Sequence, residues 1–143
     1  MGIKQISVFL ENKSGRLANV TKVLADNNVN IRALSIADTS DFGILRLIVN
    51  RPDEAYQMLK KEEFTVSTNE VVAVAVPDQP GGLASILKIF QECGANLEYL
   101  YAFIGLDQGM AIMICRVEQK ELAEQALQDN NIRILDEEDI YNI

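Results

Sequence analysis

The chain contains no histidine and no tryptophan, and only two of its 143 residues are cysteines. Histidine is the side chain that most often serves as the base of a nucleophile pair and as a transition-metal ligand. Cys93 and Cys115 form no CxxC motif and have apolar neighbours, which favours buried free thiols over a metal or redox site. These absences exclude most hydrolytic and metal chemistry. We therefore expect a protein that is not an enzyme and that has no cofactor.

Basic residues are also scarce, because 13 lysines and arginines stand against 21 acidic residues, for a net charge of −8. This balance argues against nucleic acid, whose binding requires cations that neutralise phosphates. No apolar run approaches the roughly 20 residues that cross a bilayer, and residues 1–5 do not resemble a signal peptide. We expect a soluble cytoplasmic protein without membrane or nucleic-acid partners. The acidic run 136–139 is read as a solvated tail.

A repeat spaced by 66 residues organises the sequence. The segment Ser14-Gly15-Arg16-Leu17-Ala18 returns as Pro80-Gly81-Gly82-Leu83-Ala84, and Asn30 returns as Asn96. The match runs without a gap from a predicted helix through two predicted strands, and then slips by two residues. Such a match is hard to obtain by chance, so we infer a duplication with modules at 1–69 and 70–143.

Each copy has the pattern of alternating strands and helices in the order βαββαβ. This order is typical of the ferredoxin-like plan, an α+β fold in which two helices cover one face of an antiparallel sheet. Ser14 is the expected N-cap of the first helix, and Pro80-Gly81 marks the corresponding entry in copy two. Leu17, Val20 and Leu24, and then Leu83, Ile86, Leu87 and Phe90, are the expected buried stripes. The predicted strands are 3–10, 30–37, 44–49 and 64–68 in copy one, and 71–76, 96–104, 110–117 and 132–135 in copy two; the second helices are 53–61 and 118–129.

The strands of copy two are apolar on both faces, unlike a half-buried strand. Residues 71–76 and 110–115 contain no charged side chain, so something must cover the second face. Two explanations stay open. The face is hidden within the chain by copy one or the C-terminal segment, or a homodimer packs sheet on sheet. We also expect Arg32 and Glu98, which are equivalent positions of opposite charge, to approach each other if the copies pair through their second strands.

The segment Asp78-Gln79-Pro80-Gly81-Gly82-Leu83-Ala84, followed by Cys93-Gly94-Ala95-Asn96-Leu97, resembles the signature of ACT domains. Copy one carries a looser version, and its residues 11–15 and 29–31 are similar to the serine-binding domain of phosphoglycerate dehydrogenase. The resemblance implies a pair of ACT modules that bind a free amino acid between modules and regulate a metabolic enzyme. It implies ligand contacts at Asn12 and Asn30, although copy two has Asp78 in place of the first asparagine.

These positions suit the two charged groups of a free amino acid, its carboxylate and its ammonium group. Amides at a helix N-terminus favour the carboxylate, and glycines let the backbone approach the ligand. Carboxamides and carboxylates suit the ammonium group. The predicted ligand-binding residues are Asn12, Ser14, Gly15, Arg16, Asn30, Asp78, Gly81, Gly82 and Asn96.

Each of these residues also has a structural explanation. The glycines are typical of tight turns, Asn30 and Asn96 of loop caps, and Asp78 of a helix cap. The main functional alternative to an amino-acid sensor is a structural dimerisation module or regulatory subunit with degenerate ligand sites, such as the small subunit of a biosynthetic enzyme.

Overall fold

The structure is a computed structural model, and it describes residues 2–11, 13–38, 41–104 and 109–141. Its strands and helices alternate as the sequence predicts, so the prediction of an α+β fold with two βαββαβ modules is confirmed. The strands are β1 (Ile3–Glu11), β2 (Ile31–Asp38), β3 (Phe42–Val49), β4 (Thr65–Pro77), β5 (Leu97–Ile104), β6 (Met110–Val117) and β7 (Ile134–Leu135). The helices are α1 (Arg16–Asp26), α2 (Pro52–Lys61), α3 (Gly82–Cys93), α4 (Lys120–Asp129) and α5 (Glu137–Tyr141).

The chain forms two compact units. The N-terminal unit comprises residues 4–69 together with Ile140 and Tyr141, and the C-terminal unit comprises residues 70–139 with the first residues of the chain. The strand order is β2-β3-β1-β4 in the N-terminal unit and β7-β4-β6-β5 in the C-terminal unit. Strand β4 serves both units, since it passes without interruption through Asn69 and Glu70. The expectation that almost no linker separates the copies is confirmed.

Both units repeat the same local irregularity. The pairing of β2 with β3 shifts register between Ile31 and Ala33, and that of β5 with β6 shifts between Leu97 and Tyr99. These positions are 66 residues apart, so the duplication extends to the β-bulge. Arg32 and Glu98 lie at the two bulges. Arg32 donates to the Tyr141 carbonyl at 2.9 Å and Glu98 pairs with Arg116 at 3.3 Å, and an approach of the two side chains to each other stays a prediction.

Each unit has its own hydrophobic core between its helices and its sheet. The helical stripes are confirmed in part. Val20 and Leu24 of α1 and Ile86 and Phe90 of α3 are buried, as expected. The side chains expected beside them at Leu17, Leu83 and Leu87 are 36–38% exposed. Val23 and Ile89 pack against the cores in their stead.

The second face of the C-terminal strands is covered within a single chain. All six residues from Val71 to Val76 are at most 3% exposed, and Ile112 and Ile114 of β6 are fully buried. Because these residues are buried already in one chain, their apolar character does not by itself argue for a second chain. A homodimer needs support from another surface.

The acidic run at the C-terminus is exposed at residues 136–138, as expected of a solvated segment, but it begins the helix α5 and is not an irregular tail. Asp136 and Asp139 cap each other, because the side chain of each accepts a hydrogen bond from the amide of the other. Ile140 follows on α5 and is fully buried. A buried isoleucine explains why the segment folds onto the protein despite its charge.

The two cysteines differ in environment. Cys115 is buried, and burial raises the pKa of its thiol to about 12, so the reactive thiolate is scarce at neutral pH. Cys93 is only half-buried, so the prediction of buried thiols is confirmed for Cys115 alone. In the described part of the chain, no helix is long and apolar enough to span a membrane.

Candidate functional site

Two turns with the same hydrogen bonds connect β1 to α1 and β4 to α3. In the first turn the amide of Lys13 donates to the Glu11 carbonyl at 2.7 Å, and in the second the amide of Gln79 donates to the Pro77 carbonyl at 2.9 Å. The first helical bonds also match, since Asn19 donates to Gly15 and Ser85 donates to Gly81. The two predicted ligand loops therefore have the same geometry.

Glycine occupies the N-cap of both helices. Gly15 has φ 86° and Gly81 has φ 88°, in the left-handed region that glycine adopts without a steric penalty. The prediction that Ser14 caps α1 is wrong, because the cap is one residue later and no side chain completes it. A Cβ added to either glycine would meet nothing within 4 Å. The backbone conformation alone therefore requires glycine, and the space beside it is open.

The first amides of both helices donate no hydrogen bond within the helix. Those of Leu17 and Ala18 lie between the Gly15 cap and the first bonded amide at Asn19, and Leu83 and Ala84 have the same place in α3. Among the described residues these four amides have no acceptor outside the helix. Such amides, together with the positive end of the helix dipole, favour a carboxylate.

Gly82 differs from the two cap glycines. A Cβ at Gly82 would lie 2.1 Å from the carbonyl oxygen of Pro77, so the end of β4 fills the space where a side chain would stand. Tight packing of α3 on β4 thus explains this glycine. A contact between Gly82 and a ligand stays a prediction.

A small cavity adjoins the first turn. It measures about 150 Å³ and is lined by Leu10, Glu11, Lys13, Arg16, Leu17, Ile36, Phe42 and Gly43. This volume is below the range of drug-sized ligand sites and suits a small molecule. Leu17 and Ile36 give it an exposed apolar wall. Glu11, Lys13 and Arg16 also belong to the lining, which therefore contains both acidic and basic groups.

Glu11 and Lys13 carry much of the charge around this cavity. The Lys13 ammonium lies 2.8 Å from the Glu11 carboxylate, and its hydrogen bond and charge lower the pKa of Glu11. Glu11 is therefore ionised at neutral pH. Neither Glu11 nor Lys13 is among the site residues predicted from the sequence. Their position on either side of Asn12 is the signal that would have indicated them.

Asn30 and Asn96 stand at equivalent places, where strands β2 and β5 begin. Their backbones bond to the segments before the second helices, since the Asn30 amide donates to Asn50 Oδ1 and the Asn96 amide donates to Gln119 Oε1. Both asparagines are exposed, and no described residue bonds to their side chains. The alternative that these carboxamides cap the loop is therefore not supported, and they stay available as predicted ligand contacts.

Within one unit, Asn30 lies far from the turn at Gly15. The eleven residues of α1 separate them, which corresponds to about 16 Å along the helix axis. A small molecule cannot reach both positions in one module. A site that uses both therefore requires two modules. Asn12, the other predicted asparagine, lies outside the described residues.

Comparison with known proteins identifies the fold family. A family model described as an ACT domain pair matches residues 1–143. The chain belongs to the ACT domain pair family. A crystal structure of a protein from Bacteroides thetaiotaomicron is 41% identical, with a TM-score of 0.94 over 100% of this chain and 98% of that one.

Two more distant structures share the ACT fold. The regulatory subunit of aspartate kinase from Thermus thermophilus is 17% identical, with a TM-score of 0.66 over 88% of this chain and 91% of that one. The corresponding subunit from Thermus flavus is also 17% identical, with a TM-score of 0.63 over 88% and 90% of the two chains. A search of the curated proteins found no match.

The two ACT modules of the chain differ in the charges beside their turns. Glu11, Lys13 and Arg16 of the first module correspond by position to Pro77, Gln79 and Gly82 of the second. Asp78 supplies the second turn with its only acidic group, and α3 has no side-chain cap, so the alternative that Asp78 caps this helix is wrong. Asp78 is exposed, and its amide donates to the Gly109 carbonyl at 2.8 Å. The first ACT module therefore has the more complete set of groups for a zwitterion.

Proposed function

We propose that this protein is a non-catalytic regulatory protein that binds a free amino acid at its ACT modules and thereby modulates a metabolic enzyme. The observation that carries the proposal is the pair of glycine-capped turns whose first helical amides have no acceptor among the described residues. Membership of the ACT domain pair family supports it. The proposal assigns the turn of the first module as the principal site.

The charges at the first turn give each group of an amino acid a partner. The α-carboxylate binds to the amides of Leu17 and Ala18, where the helix dipole favours an anion. The ammonium group binds to Glu11, whose lowered pKa keeps it ionised. Arg16 adds positive charge for the carboxylate, whereas Lys13 is paired with Glu11 at 2.8 Å, so the ligand ammonium would share Glu11 with Lys13. The exposed apolar residues Leu17 and Ile36 favour a ligand with an apolar side chain.

We propose that two modules, one from each chain of a homodimer, complete the site. Asn30 and Asn96 are exposed carboxamides at the far ends of α1 and α3. A second module that offers one of them to the turn at Gly15 would supply oxygen atoms for the ammonium group. Binding would then stabilise one arrangement of modules, and a partner that prefers that arrangement would change its activity.

An enzyme partner follows from the same proposal. The described residues contain no cluster of histidine, cysteine or acidic side chains that could hold a metal ion, and the site has no nucleophile beside a base. Some of the structures that share this fold are regulatory subunits of aspartate kinase. We propose that this protein, too, acts on the activity of a separate catalytic chain.

The asymmetry between the modules favours a second role for the C-terminal module. Its turn segment, residues 77–82, lacks the counterparts of Glu11, Lys13 and Arg16, and Asp78 is the one charged residue in that segment. We therefore propose that the second module has a weaker or degenerate ligand site and acts mainly in assembly. Binding of one amino acid per chain distinguishes this arrangement from two equal sites.

A thermal-shift screen with the twenty amino acids tests the proposal. A ligand at a hundred times its dissociation constant stabilises the folded state by about 2.7 kcal/mol. For a chain of this size the midpoint of unfolding should rise by roughly 5–10 °C. We expect a rise with one amino acid or a few related ones. No rise with any of the twenty, together with a stable complex with an enzyme, would favour a dimerisation module with degenerate sites instead.

A further inference from the structure

A second and larger concavity lies on the N-terminal unit, along the side of α1. It measures about 420 Å³, within the range of small-molecule sites. One wall is a stripe of α1 that includes Arg16, Asn19 and Lys22, one helical turn apart, and Asp26 near the end of the helix. The other wall is formed by Glu62 and Phe64, which follow α2. We call this concavity the α1 groove.

The Arg16 guanidinium is held at one end of the groove by an aromatic ring. It lies 5.0 Å from the centroid of Phe64, which is 8% exposed and belongs to the core. This is cation–π geometry, and it fixes the position of the charge without using its hydrogen bonds. The Nε atom of Arg16 is buried and has no acceptor in the described structure. A carboxylate or phosphate group in the groove would supply acceptors for this guanidinium.

Two of the four charged groups in the groove form no ion pair among the described residues. Lys22 and Asp26 pair with each other at 2.7 Å, and their hydrogen bond raises the pKa of Lys22. Among the described residues no ion pair involves Arg16 or Glu62, and these two do not pair with each other. Arg16 does attract Glu11 electrostatically, but within the groove it forms no ion pair. The groove therefore carries one positive and one negative group outside ion pairs, and the net charge of its lining is zero.

The second copy lacks this combination. The counterpart of Arg16 is Gly82, and that of Phe64 is Ile132. The ion pair on the helix is retained, since Lys88 lies 3.9 Å from Glu92. The fold and the pair on the helix surface therefore do not require the stacked arginine. The stack and the unpaired carboxylate are specific to the first module.

We propose that the α1 groove is a second ligand site, which binds a small zwitterion with its anionic group at Arg16 and its ammonium group at Glu62. Asn19 supplies a further hydrogen-bond donor for the anion. The ligand chemistry is a carboxylate or phosphate group joined to a primary amine. The site is separate from the turn at Gly15, although the Arg16 side chain borders both cavities.

An NMR titration of the full chain tests the proposal. The probes are β-alanine, γ-aminobutyrate and phosphoethanolamine, and acetate and ethylamine represent the two charges alone. We expect at least one zwitterion to shift the Nε–Hε resonance of Arg16 and to bind about tenfold more tightly than either single-charge probe. Binding of the carboxylate zwitterions or of phosphoethanolamine identifies which anionic group the site prefers.

A matched pair of glutamate variants separates this site from the turn, and a third variant tests the stack of Arg16 on Phe64. Glu62→Gln should weaken zwitterion binding roughly tenfold, whereas the matched change Glu63→Gln, on the next residue and outside the groove, should leave it unchanged. Phe64→Ile introduces the residue that the second copy has at this position, so the core should tolerate it while the stack is lost. Glu62 does not line the first cavity, so amino-acid binding at the first turn should persist in Glu62→Gln. Phe64→Ile releases Arg16, which borders both cavities, so this variant is expected to affect both sites. No Arg16 shift with any zwitterion, or equal loss in Glu62→Gln and Glu63→Gln, would overturn the proposal.

Discussion

Replacement of Gly82 by alanine is expected to lower the free energy of unfolding by roughly 3 kcal/mol, at the upper end of the cost of overpacking. The added Cβ would lie 2.1 Å from the Pro77 carbonyl oxygen, which belongs to the backbone and cannot rotate away. Relief would require α3 to move from the end of β4. Denaturant unfolding at equilibrium measures the loss directly.

The matched variant is the neighbouring change, Gly81→Ala. Gly81 has open space around its α-carbon, so only the left-handed conformation is penalised, at about 1–2 kcal/mol. The first module offers an informative contrast. Arg16 occupies the position equivalent to Gly82 and has a Cβ. The first turn is wider, because the Arg16 amide lies 3.4 Å from the Lys13 carbonyl, whereas the Gly82 amide lies 3.0 Å from the Gln79 carbonyl. If Gly82→Ala leaves the free energy of unfolding unchanged, the second turn can relax to the wider form of the first turn.

Replacement of Gly15 by valine is expected to weaken amino-acid binding roughly tenfold or more. A β-branched side chain is strongly disfavoured at φ 86°, so the turn would change conformation and redirect the amides of Leu17 and Ala18. Hydrogen bonds to a charged ligand group contribute about 1.5–3 kcal/mol, which corresponds to a tenfold to hundredfold change in affinity. Isothermal titration calorimetry with the amino acid found by thermal shift gives both affinity and stoichiometry.

Gly81→Val is the control for this variant. It places the same side chain in the same backbone conformation of the second turn, so its cost in stability should be similar. If the first module holds the principal site, binding in Gly81→Val stays within twofold of the unchanged protein. Equal losses in both variants would show that the two turns bind with similar affinity, or that the loss reflects stability alone.

The repeated pattern predicted most of the fold because it is local and occurs twice. The periodicity of apolar residues predicts every strand and helix up to β7 within a few residues. Asn28 and Gly94, which follow α1 and α3, adopt the left-handed conformation, which asparagine and glycine tolerate at the end of a helix. The N-cap of α1 was misplaced because Ser14 is the stronger capping residue by type. The geometry of the turn instead places Gly15 at the cap, where the left-handed conformation excludes most other residues.

Features that depend on distant contacts could not be predicted in the same way. The sequence predicts a tail at the position of α5, because acidic residues dominate this segment. The burial of Ile140, which stabilises the segment, depends on contacts with distant residues. The cavity beside the first turn depends on Ile36 and Phe42, which are distant in sequence from Glu11 and Lys13. The stack of Arg16 on Phe64 likewise joins residues 48 positions apart. No periodicity in a single sequence indicates such pairs.

The most direct measurement of the central claim is a 1H–15N spectrum of the backbone amides, recorded while the protein is titrated with the amino acid that raises its unfolding temperature most. We expect the largest downfield shifts at Leu17 and Ala18, because new hydrogen bonds to a carboxylate deshield these protons, with smaller shifts at Leu83 and Ala84. Saturable binding that leaves all four amides unmoved would contradict the assignment of the glycine-capped turns as the ligand site.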